Sequence, residues 1–133
     1  MEYFAYGSNL NKQQMLQRCP GAKPKYQAIL PNFTLIFTGW SREWKGGTAS
    51  IKPIRGEKVV GAIYEISEPD LRRLDRYEDY PATYDRINVL VLKDDGSAIK
   101  AITYIKRRQS DETKPSAEYL ALIRQGYKDW SIE

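Results

Sequence analysis

The sequence YFAYGSNL at residues 3–10 changes from a strand pattern to a polar turn within a few residues. The alternation in its first half is typical of an early buried strand. Gly7 interrupts that pattern, and Ser8 and Asn9 are residue types that cap the N terminus of a helix. Asn11–Arg18 then has helical spacing. The apolar side chains available to one face of this helix are Leu10, Met15 and Leu16.

Outward from this turn, the chain is predicted to consist of strands and helices joined mostly by hairpins. A capping box of Ser67 and Asp70 begins a helix that runs to about Tyr77, and Pro115–Ser116 begin a terminal helix. A bulge or close backbone approach is expected at Gly61, inside one strand. About six strands and three helices predict one α+β domain over residues 1–133, with a small mixed or antiparallel, barrel-like sheet. Beyond the first strand, the predicted strands are Lys25–Leu30, Phe33–Trp40, a short one around Thr48–Lys52, Lys58–Ile66, Tyr84–Leu92 and Ala98–Lys106. Pro31–Asn32 is predicted to turn the chain between the first two of these strands.

The absence of histidine from the 133 residues excludes several classes of catalytic site. A Ser–His–Asp or Cys–His nucleophile system cannot be assembled from this chain. One cysteine without histidine makes a zinc site nearly impossible. The phosphate-binding patterns GxGxxG and GxxxxGK followed by Ser or Thr do not occur. Acid–base chemistry is therefore left to Asp, Glu, Lys and Tyr side chains.

The formal net charge of +4 is mildly basic and does not select a class of partner. The densest basic cluster, Lys106–Arg108, fits a solvated surface better than a nucleic-acid patch. No apolar run approaches the roughly 20 residues of a membrane span, and no signal-peptide pattern is present. The single cysteine, Cys19, excludes an internal disulfide framework, favours a reducing cytoplasm and is expected to be an inert thiol. The tryptophans expected to serve in packing are Trp40, Trp130 and Trp44, of which the last also suits the border of a pocket.

Glu78 is the candidate acid–base group. On the predicted helix, Leu71 and Leu74 mark the buried face, and Glu78 follows at the spacing that returns to that face. A carboxylate in this position would be partly desolvated, which raises its pKa toward neutrality. Such a carboxyl suits a general base or acid that works near pH 7. The tyrosines that flank it are Tyr77, Tyr80 and Tyr84.

Two other interpretations of this acidic segment stay open. If the helix ends near Tyr77, Glu78 is a solvated carboxylate at its exit, which the pattern alone favours. Alternatively, Asp75, Glu78 and Asp79 together would suit a hard cation such as magnesium.

The turn at Gly7–Asn9 is a candidate anion site. A strand that ends in Gly-Ser-Asn and continues into a helix presents backbone N–H groups together with the positive end of the helix. Such a place binds carboxylates or developing oxyanions, and glycine permits close approach. An ordinary capped turn is the alternative that the pattern also allows.

Several stretches resemble the γ-glutamylcyclotransferase family in the family's order. FAYGSN at residues 4–9 resembles its signature. Collinear resemblances cover nearly the whole chain at WKGGTASI (44–51), VVGAIYEI (59–66), LDRYEDYPATY (74–84), TYIK (103–106) and PSAEYLALIRQGY (115–127).

The resemblance implies an enzyme that cyclises the γ-glutamyl group of a γ-glutamyl amino acid or amine to 5-oxoproline and releases the amine. The α-amino group of this small substrate is the nucleophile, and no cofactor, metal or covalent enzyme intermediate is implied. Carried over by position, Glu78 is the general acid and base, and Tyr119 is the substrate-binding tyrosine of the P-S-x-x-Y helix. The other implied substrate-binding residues are Tyr6, Gly7, Ser8, Asn9, Tyr84 and Tyr104.

Asp79 departs from the family pattern, which often has glycine after the glutamate. A second carboxylate that faces inward would raise the pKa of Glu78 further, whereas one that faces solvent would not. The YGSN motif also favours the γ-glutamyl amino-acid type over the γ-glutamylamine type.

The sequence also allows two functions other than catalysis. A binding-only member of the same fold would use the pocket, or the Lys106–Arg108 face, for a metabolite or a protein partner. The retained glutamate argues against it, because an unneeded inward charge is costly. A nucleic-acid module would need a basic groove with interleaved exposed aromatics. We therefore expect a small-molecule substrate without nucleic acid or membrane, and a monomer or homodimer.

Overall fold

The computed structural model describes residues 1–108 and 110–132. It contains the three predicted helices and, before the first of them, a 3₁₀ turn at Ser8–Leu10. None of the helices in these residues has the length and apolar character that a membrane crossing needs. The strands are β1 (Glu2–Ala5), β2 (Lys23–Ser41), β3 (Gly46–Glu65), β4 (Tyr84–Leu92) and β5 (Ala98–Lys106), and the helices are α1 (Lys12–Arg18), α2 (Glu68–Tyr77) and α3 (Ala117–Asp129).

The five strands of the described residues close into a barrel in the order β1-β3-β2-β4-β5. β1 runs antiparallel to β3 and parallel to β5, where Tyr3 pairs with Ile102. The other neighbours in the sheet are antiparallel. The sheet is therefore mixed and closed, which confirms the α+β, barrel-like prediction. Because β1 lies between β3 and β5, the turn that follows β1 emerges beside both strands.

Two pairs of predicted strands are merged, so the predicted boundaries are wrong there. β2 runs without a break through residues 23–41, and β3 through residues 46–65. The predicted turn at Asn32 does not reverse the chain. Asn32 has φ 64°, and its side chain accepts a hydrogen bond from the Gly56 N–H at 3.0 Å. The ladder shifts register between Pro31 and Phe33, so the two strands bend at a bulge instead of ending.

β1 and β3 approach each other closely at Gly61. A Cβ at this position would meet the Ala5 carbonyl oxygen and the ring of the fully buried Phe4. Gly61 nevertheless stays in register and pairs with Ala28 on β2. The predicted close backbone approach is thus confirmed, without a bulge at this residue.

Helix α1 differs from the prediction in its cap and in its buried face. Its N-cap is Asn11, whose side chain accepts an N–H of the first turn, whereas Ser8 and Asn9 lie in the preceding 3₁₀ turn. Met15 is fully buried, but Leu16 is 39% exposed. Consecutive helical residues point about 100° apart, so a helix that buries Met15 turns Leu16 toward solvent.

The four residues expected to be inert or packed, three tryptophans and Cys19, have different environments in the structure. Trp130 is buried, which confirms its packing role, whereas Trp40 is 69% exposed, so the prediction for it is wrong. Trp44 packs its ring against Tyr119 with 5.3 Å between centroids. Cys19 is buried, and this burial raises the pKa of its thiol from 9.0 to about 11, which keeps it protonated.

Candidate active site

Glu78 is positioned by helix α2 and by the turn that ends it. The capping box forms as predicted, since the Ser67 hydroxyl accepts the Asp70 N–H and the Asp70 carboxylate accepts the Ser67 N–H, each at 3.3 Å. The helix ends at Tyr77, and the Glu78 N–H donates to the Leu74 carbonyl at 2.8 Å. The helix therefore ends where the solvated-carboxylate interpretation placed its end, but the Glu78 side chain lines a cavity.

This cavity has a volume of about 540 Å³ and collects all of the sequence-predicted site residues. They arrive from the turn after β1, from the end of α2, and from β4, β5 and α3. Trp44 borders the same cavity, as expected. The predicted residues in its wall are Tyr6, Gly7, Ser8, Asn9, Glu78, Tyr84, Tyr104 and Tyr119.

The environment of Glu78 suits proton exchange near neutral pH. Burial raises the pKa of its carboxyl from 4.5 to about 7, because removal from water disfavours the charged form. The positive charges of Arg18 and Lys106 lower the pKa, but desolvation is the larger effect. A carboxyl with this pKa can both take up and release a proton at pH 7.

The turn after β1 lines the same cavity and contains backbone donors that the described part of the fold does not use. Two backbone hydrogen bonds of 3.0 Å, accepted by the carbonyl groups of Gly7 and Ser8, close the turn. None of the hydrogen bonds among the described residues uses the N–H of Gly7, Ser8 or Asn9. Gly7 is also closely packed, since a Cβ there would lie 3.0 Å from the Cβ of Ala49. The turn is thus a tight backbone loop whose N–H groups are available to an anion.

The Asn9 side chain connects this turn to Glu78. Its Nδ2 donates to the Tyr3 hydroxyl at 3.0 Å and to Glu78 Oε1 at 3.4 Å. Its Oδ1 accepts from Arg18 Nη1 at 3.0 Å and from Gln14 Nε2 at 3.2 Å, which fixes the orientation of the amide. The sequence interpretation used only the backbone of Asn9 and missed Arg18 and Gln14. Their four-residue spacing, which places both on one face of α1, was the available signal.

The tyrosines of the cavity wall are held by hydrogen bonds to the backbone. Tyr6 donates to the Tyr104 carbonyl at 2.7 Å, and Tyr84 donates to the Ala49 carbonyl at 2.7 Å. The Tyr119 hydroxyl accepts the N–H of Ala49 at 2.9 Å. Tyr84 and Tyr119 thereby fix the same residue of β3 from two sides, so this part of the wall is rigid.

Asp75 is engaged in contacts within the protein, so the structure does not bring together the three carboxylates of the magnesium interpretation. Its Oδ1 accepts from the Tyr104 hydroxyl at 2.7 Å and its Oδ2 from Arg86 Nη1 at 2.9 Å. Asp79 is exposed and accepts from the Thr83 hydroxyl at 2.7 Å. Among the residues that the structure describes, no three Asp, Glu, Cys or His side chains lie together as metal ligands.

Comparison with known proteins agrees with this geometry. Residues 3–131 match the family model described as Gamma-glutamyl cyclotransferase, AIG2-like. The chain belongs to the gamma-glutamyl cyclotransferase family. The proteins named Gamma-glutamylcyclotransferase from Homo sapiens and Bos taurus are each 32% identical to it over 132 residues, covering 96% of this chain and 70% of each relative. A solved structure titled Gamma-glutamyl cyclotransferase matches with a TM-score of 0.93 at 30% identity, covering 98% of this chain and 79% of that one. The resemblance found in the sequence is confirmed, and the chain is assigned to a family of enzymes.

The backbone conformation explains the Asp79 departure from the gamma-glutamyl cyclotransferase pattern. Asp79 has φ 50°, which is the left-handed region where glycine is unstrained and where aspartate is among the better tolerated residues. Its side chain faces solvent, and it does not contribute to the raised pKa of Glu78. Of the two roles considered for Asp79, the solvent-facing one is observed.

The three residues of the basic cluster Lys106–Arg108, which was predicted to be a solvated surface, differ in their exposure. Arg107 and Arg108 are exposed at the border of the cavity, as expected. Lys106 is only half-exposed, and its Nζ donates to the Thr38 carbonyl at 2.6 Å and to the Thr48 carbonyl at 3.3 Å. The sequence interpretation missed this inward lysine. The two-residue spacing from Tyr104 on β5, which places both side chains on one face of the strand, was the available signal.

Gly46 and Gly47, the two glycines of WKGGTASI, allow residues 113–116 to pass directly against β3. A Cβ on Gly46 would lie 2.8 Å from the Lys114 carbonyl oxygen, and one on Gly47 would lie 2.5 Å from the Thr113 carbonyl oxygen. The Gly47 N–H donates to the Lys114 carbonyl at 3.1 Å. This contact fixes the chain just before α3, which carries Tyr119 into the cavity.

Proposed function

We propose that this protein cyclises the γ-glutamyl group of a γ-glutamyl amino acid or amine to 5-oxoproline and releases the amine. The observation that carries the proposal is that Glu78, a carboxyl with its pKa raised to about 7, lines one cavity together with the turn at Gly7–Asn9. Membership of the gamma-glutamyl cyclotransferase family supports the reaction class.

Glu78 is the proton carrier in this reaction. Its carboxylate takes a proton from the α-ammonium group of the substrate, and the freed amine attacks the γ-carbonyl carbon to form the lactam C–N bond. The C–N bond to the leaving group then breaks as the protonated Glu78 carboxyl gives its proton to the leaving nitrogen. A second proton passes from the ring nitrogen through Glu78 to the leaving nitrogen. The lactam nitrogen therefore keeps one of its three original hydrogens, and the product amine departs as an ammonium ion.

The turn at Gly7–Asn9 holds the glutamyl part of the substrate. Its N–H groups bind the α-carboxylate, which directs the α-amino group toward Glu78. The Asn9 amide, at 3.4 Å from Glu78 Oε1, holds the carboxyl on this side of the cavity. Because ring closure is intramolecular, holding the substrate folded in this geometry supplies much of the rate.

Three of the four predicted tyrosines form part of the cavity wall, and the fourth has a hydroxyl hydrogen that can bind the substrate. Tyr6, Tyr84 and Tyr104 donate their hydroxyl hydrogens to protein acceptors, so they shape the wall of the cavity. Tyr119 accepts a hydrogen bond from the Ala49 N–H, which leaves its own hydroxyl hydrogen for the substrate.

The cytoplasm is the proposed compartment, since a reduced Cys19 thiol is stable there. The small substrate is the proposed partner, and the enzyme is proposed to act as a monomer or homodimer without nucleic acid.

The test is release of 5-oxoproline from a panel of γ-glutamyl amino acids and amines. Wild type is compared with Glu78→Gln and with Glu57→Gln, which changes an exposed glutamate outside the cavity. Loss of the general base should lower turnover about a hundredfold or more, while Glu57→Gln should retain it.

Two results would contradict the proposal in different ways. Turnover that survives in Glu78→Gln would assign the proton transfer to another group. Binding of panel compounds without turnover by wild type would favour a binding-only protein with the same fold.

A further inference from the structure

A fixed cation lines the cavity beside the proposed base. Lys106 Nζ donates to the carbonyl groups of Thr38 and Thr48, at 2.6 Å and 3.3 Å. An ammonium group has three N–H donors, so one is left. Within residues 1–108 and 110–132, no carboxylate lies within 4.0 Å of this nitrogen. A half-buried cation without an anionic partner favours binding of an anion from the ligand.

We propose that Lys106 binds a carboxylate carried by the leaving group, so that the enzyme selects γ-glutamyl α-amino acids over uncharged γ-glutamyl amines. This inference rests on the proposed cyclisation and narrows its substrate class. It also assigns a residue to substrate selection that lies outside the turn, the glutamate and the tyrosines already described.

The chemistry of the substrate places that carboxylate near the lysine. Glu78 must reach the leaving nitrogen in order to protonate it, so the leaving group lies beside Glu78. In a γ-glutamyl α-amino acid, the carboxylate carbon is only two bonds from that nitrogen. Lys106 lines the same cavity and lies close enough to Glu78 for each charge to affect the other residue's pKa.

The position of the Lys106 ammonium group is built into the fold. The Lys106 N–H donates to the Ser50 hydroxyl at 3.0 Å, which fixes the backbone at the end of β5. The Nζ also lies 5.8 Å from the centroid of the Tyr84 ring. Arg107 and Arg108 continue the positive charge along the border of the cavity. An incoming carboxylate therefore meets a positive surface that leads to a preorganised donor.

Two other roles of the same lysine predict different kinetics. If Lys106 bound the glutamyl α-carboxylate, or if it only shifted the pKa of Glu78, its removal would slow the turnover of every substrate equally, because all substrates share the glutamyl group and the base. Arg18 from α1 and the tyrosines from β1, β4, β5 and α3 also face Glu78, so a tuning effect would act through the base and not through the leaving group. Only contact with the leaving carboxylate distinguishes substrates that differ at that group.

The test compares γ-glutamyl-alanine with γ-glutamyl-alaninamide, which replaces the carboxylate by a neutral group of similar shape. We expect wild type to prefer the acid in kcat/KM by about ten- to a hundredfold, the range for a hydrogen bond between charged groups. Lys106→Gln should abolish the preference by slowing turnover of the acid, and Lys106→Arg should retain it. The matched control Arg55→Gln, which removes an exposed positive charge outside the cavity, should leave it unchanged.

The possible results separate this inference from the proposed function. Turnover of both compounds by wild type without preference, or an equal decline of both in Lys106→Gln, would overturn this inference alone. Turnover of neither compound would overturn the proposed function and this inference with it. The wild-type ratio needs no variant, so equal turnover of the acid and the amide would overturn this inference even if Lys106→Gln does not fold, and in that event Lys106→Arg tests the residue.

Discussion

Replacing Glu78 by glutamine is expected to stabilise the folded protein at alkaline pH, although it removes the proposed base. Burial raises the pKa of this carboxyl from 4.5 to about 7 in the folded state, while the unfolded chain keeps the ordinary value. The unfolded state therefore ionises first as the pH rises, and this favours unfolding. The penalty is absent below about pH 4.5, where both states are protonated, grows between about 4.5 and 7, and is complete above about pH 7.

The size of the penalty follows from the same pKa difference. A rise from 4.5 to about 7, at about 1.4 kcal/mol per pKa unit, corresponds to about 3.5 kcal/mol. The Glu78 side chain is partly open to the cavity, and solvent screening reduces this to about 2 kcal/mol. Glutamine keeps the size of the side chain and the oxygen that accepts the Asn9 amide, but it carries no charge. The variant should gain about 2 kcal/mol at pH 8 and almost nothing at pH 4.

Urea unfolding at a series of pH values from about 4 to 8.5 measures this difference. Glu57→Gln is the matched control, because it removes the same charge at an exposed position and should show no such gain. A stability difference between wild type and Glu78→Gln that does not change with pH would refute the reasoning. So would a variant that is less stable than wild type at pH 8.

Three further predictions follow from the same structure. Because Glu78 must be ionised to accept a proton, kcat/KM for a γ-glutamyl substrate should rise with pH through about 7 and then level off, and a flat profile between pH 5.5 and 8.5 would contradict this role. Gly47→Ala should lower the free energy of unfolding by about 1 to 3 kcal/mol, because its Cβ would meet Thr113, and an unchanged urea midpoint would contradict that. Cys19 should react with iodoacetamide only on unfolding, because the thiol is buried and its pKa is raised to about 11, so rapid labelling of the native protein would show that it is accessible.

The parts of the fold and site that the sequence predicted are those that depend on local patterns. The capping box of Ser67 and Asp70 determines where α2 begins, and the helical period then directs Glu78 toward the buried side. The alternation in β4 and β5, with a turn sequence between them, predicted both strands with their observed bounds. In each case, neighbours within a few residues contain the information.

The remaining parts depend on contacts between residues that are distant in the chain. Asn32 was predicted to reverse the chain, but its side chain binds the Gly56 N–H and becomes part of a bulge between two long strands. Lys106 was assigned to solvent because it begins a basic run, yet two carbonyl groups from β2 and β3 hold its ammonium group. Arg18 was not considered, because its contact with Asn9 exists only once α1 packs beside the turn. A local pattern contains none of these partners.

The mixed topology of the barrel explains how a costly carboxyl is kept in place. β1 pairs with both β3 and β5, so its turn lies beside the tyrosine wall and brings Asn9 to Glu78. The wall is held by hydrogen bonds that do not involve Glu78, including those from Tyr6 to the Tyr104 backbone and from Tyr104 to Asp75. Glu78 therefore need not stabilise the site that surrounds it. The fold can tolerate the ionisation penalty of this one residue, and the same desolvation that imposes the penalty gives the carboxyl a pKa suited to proton transfer.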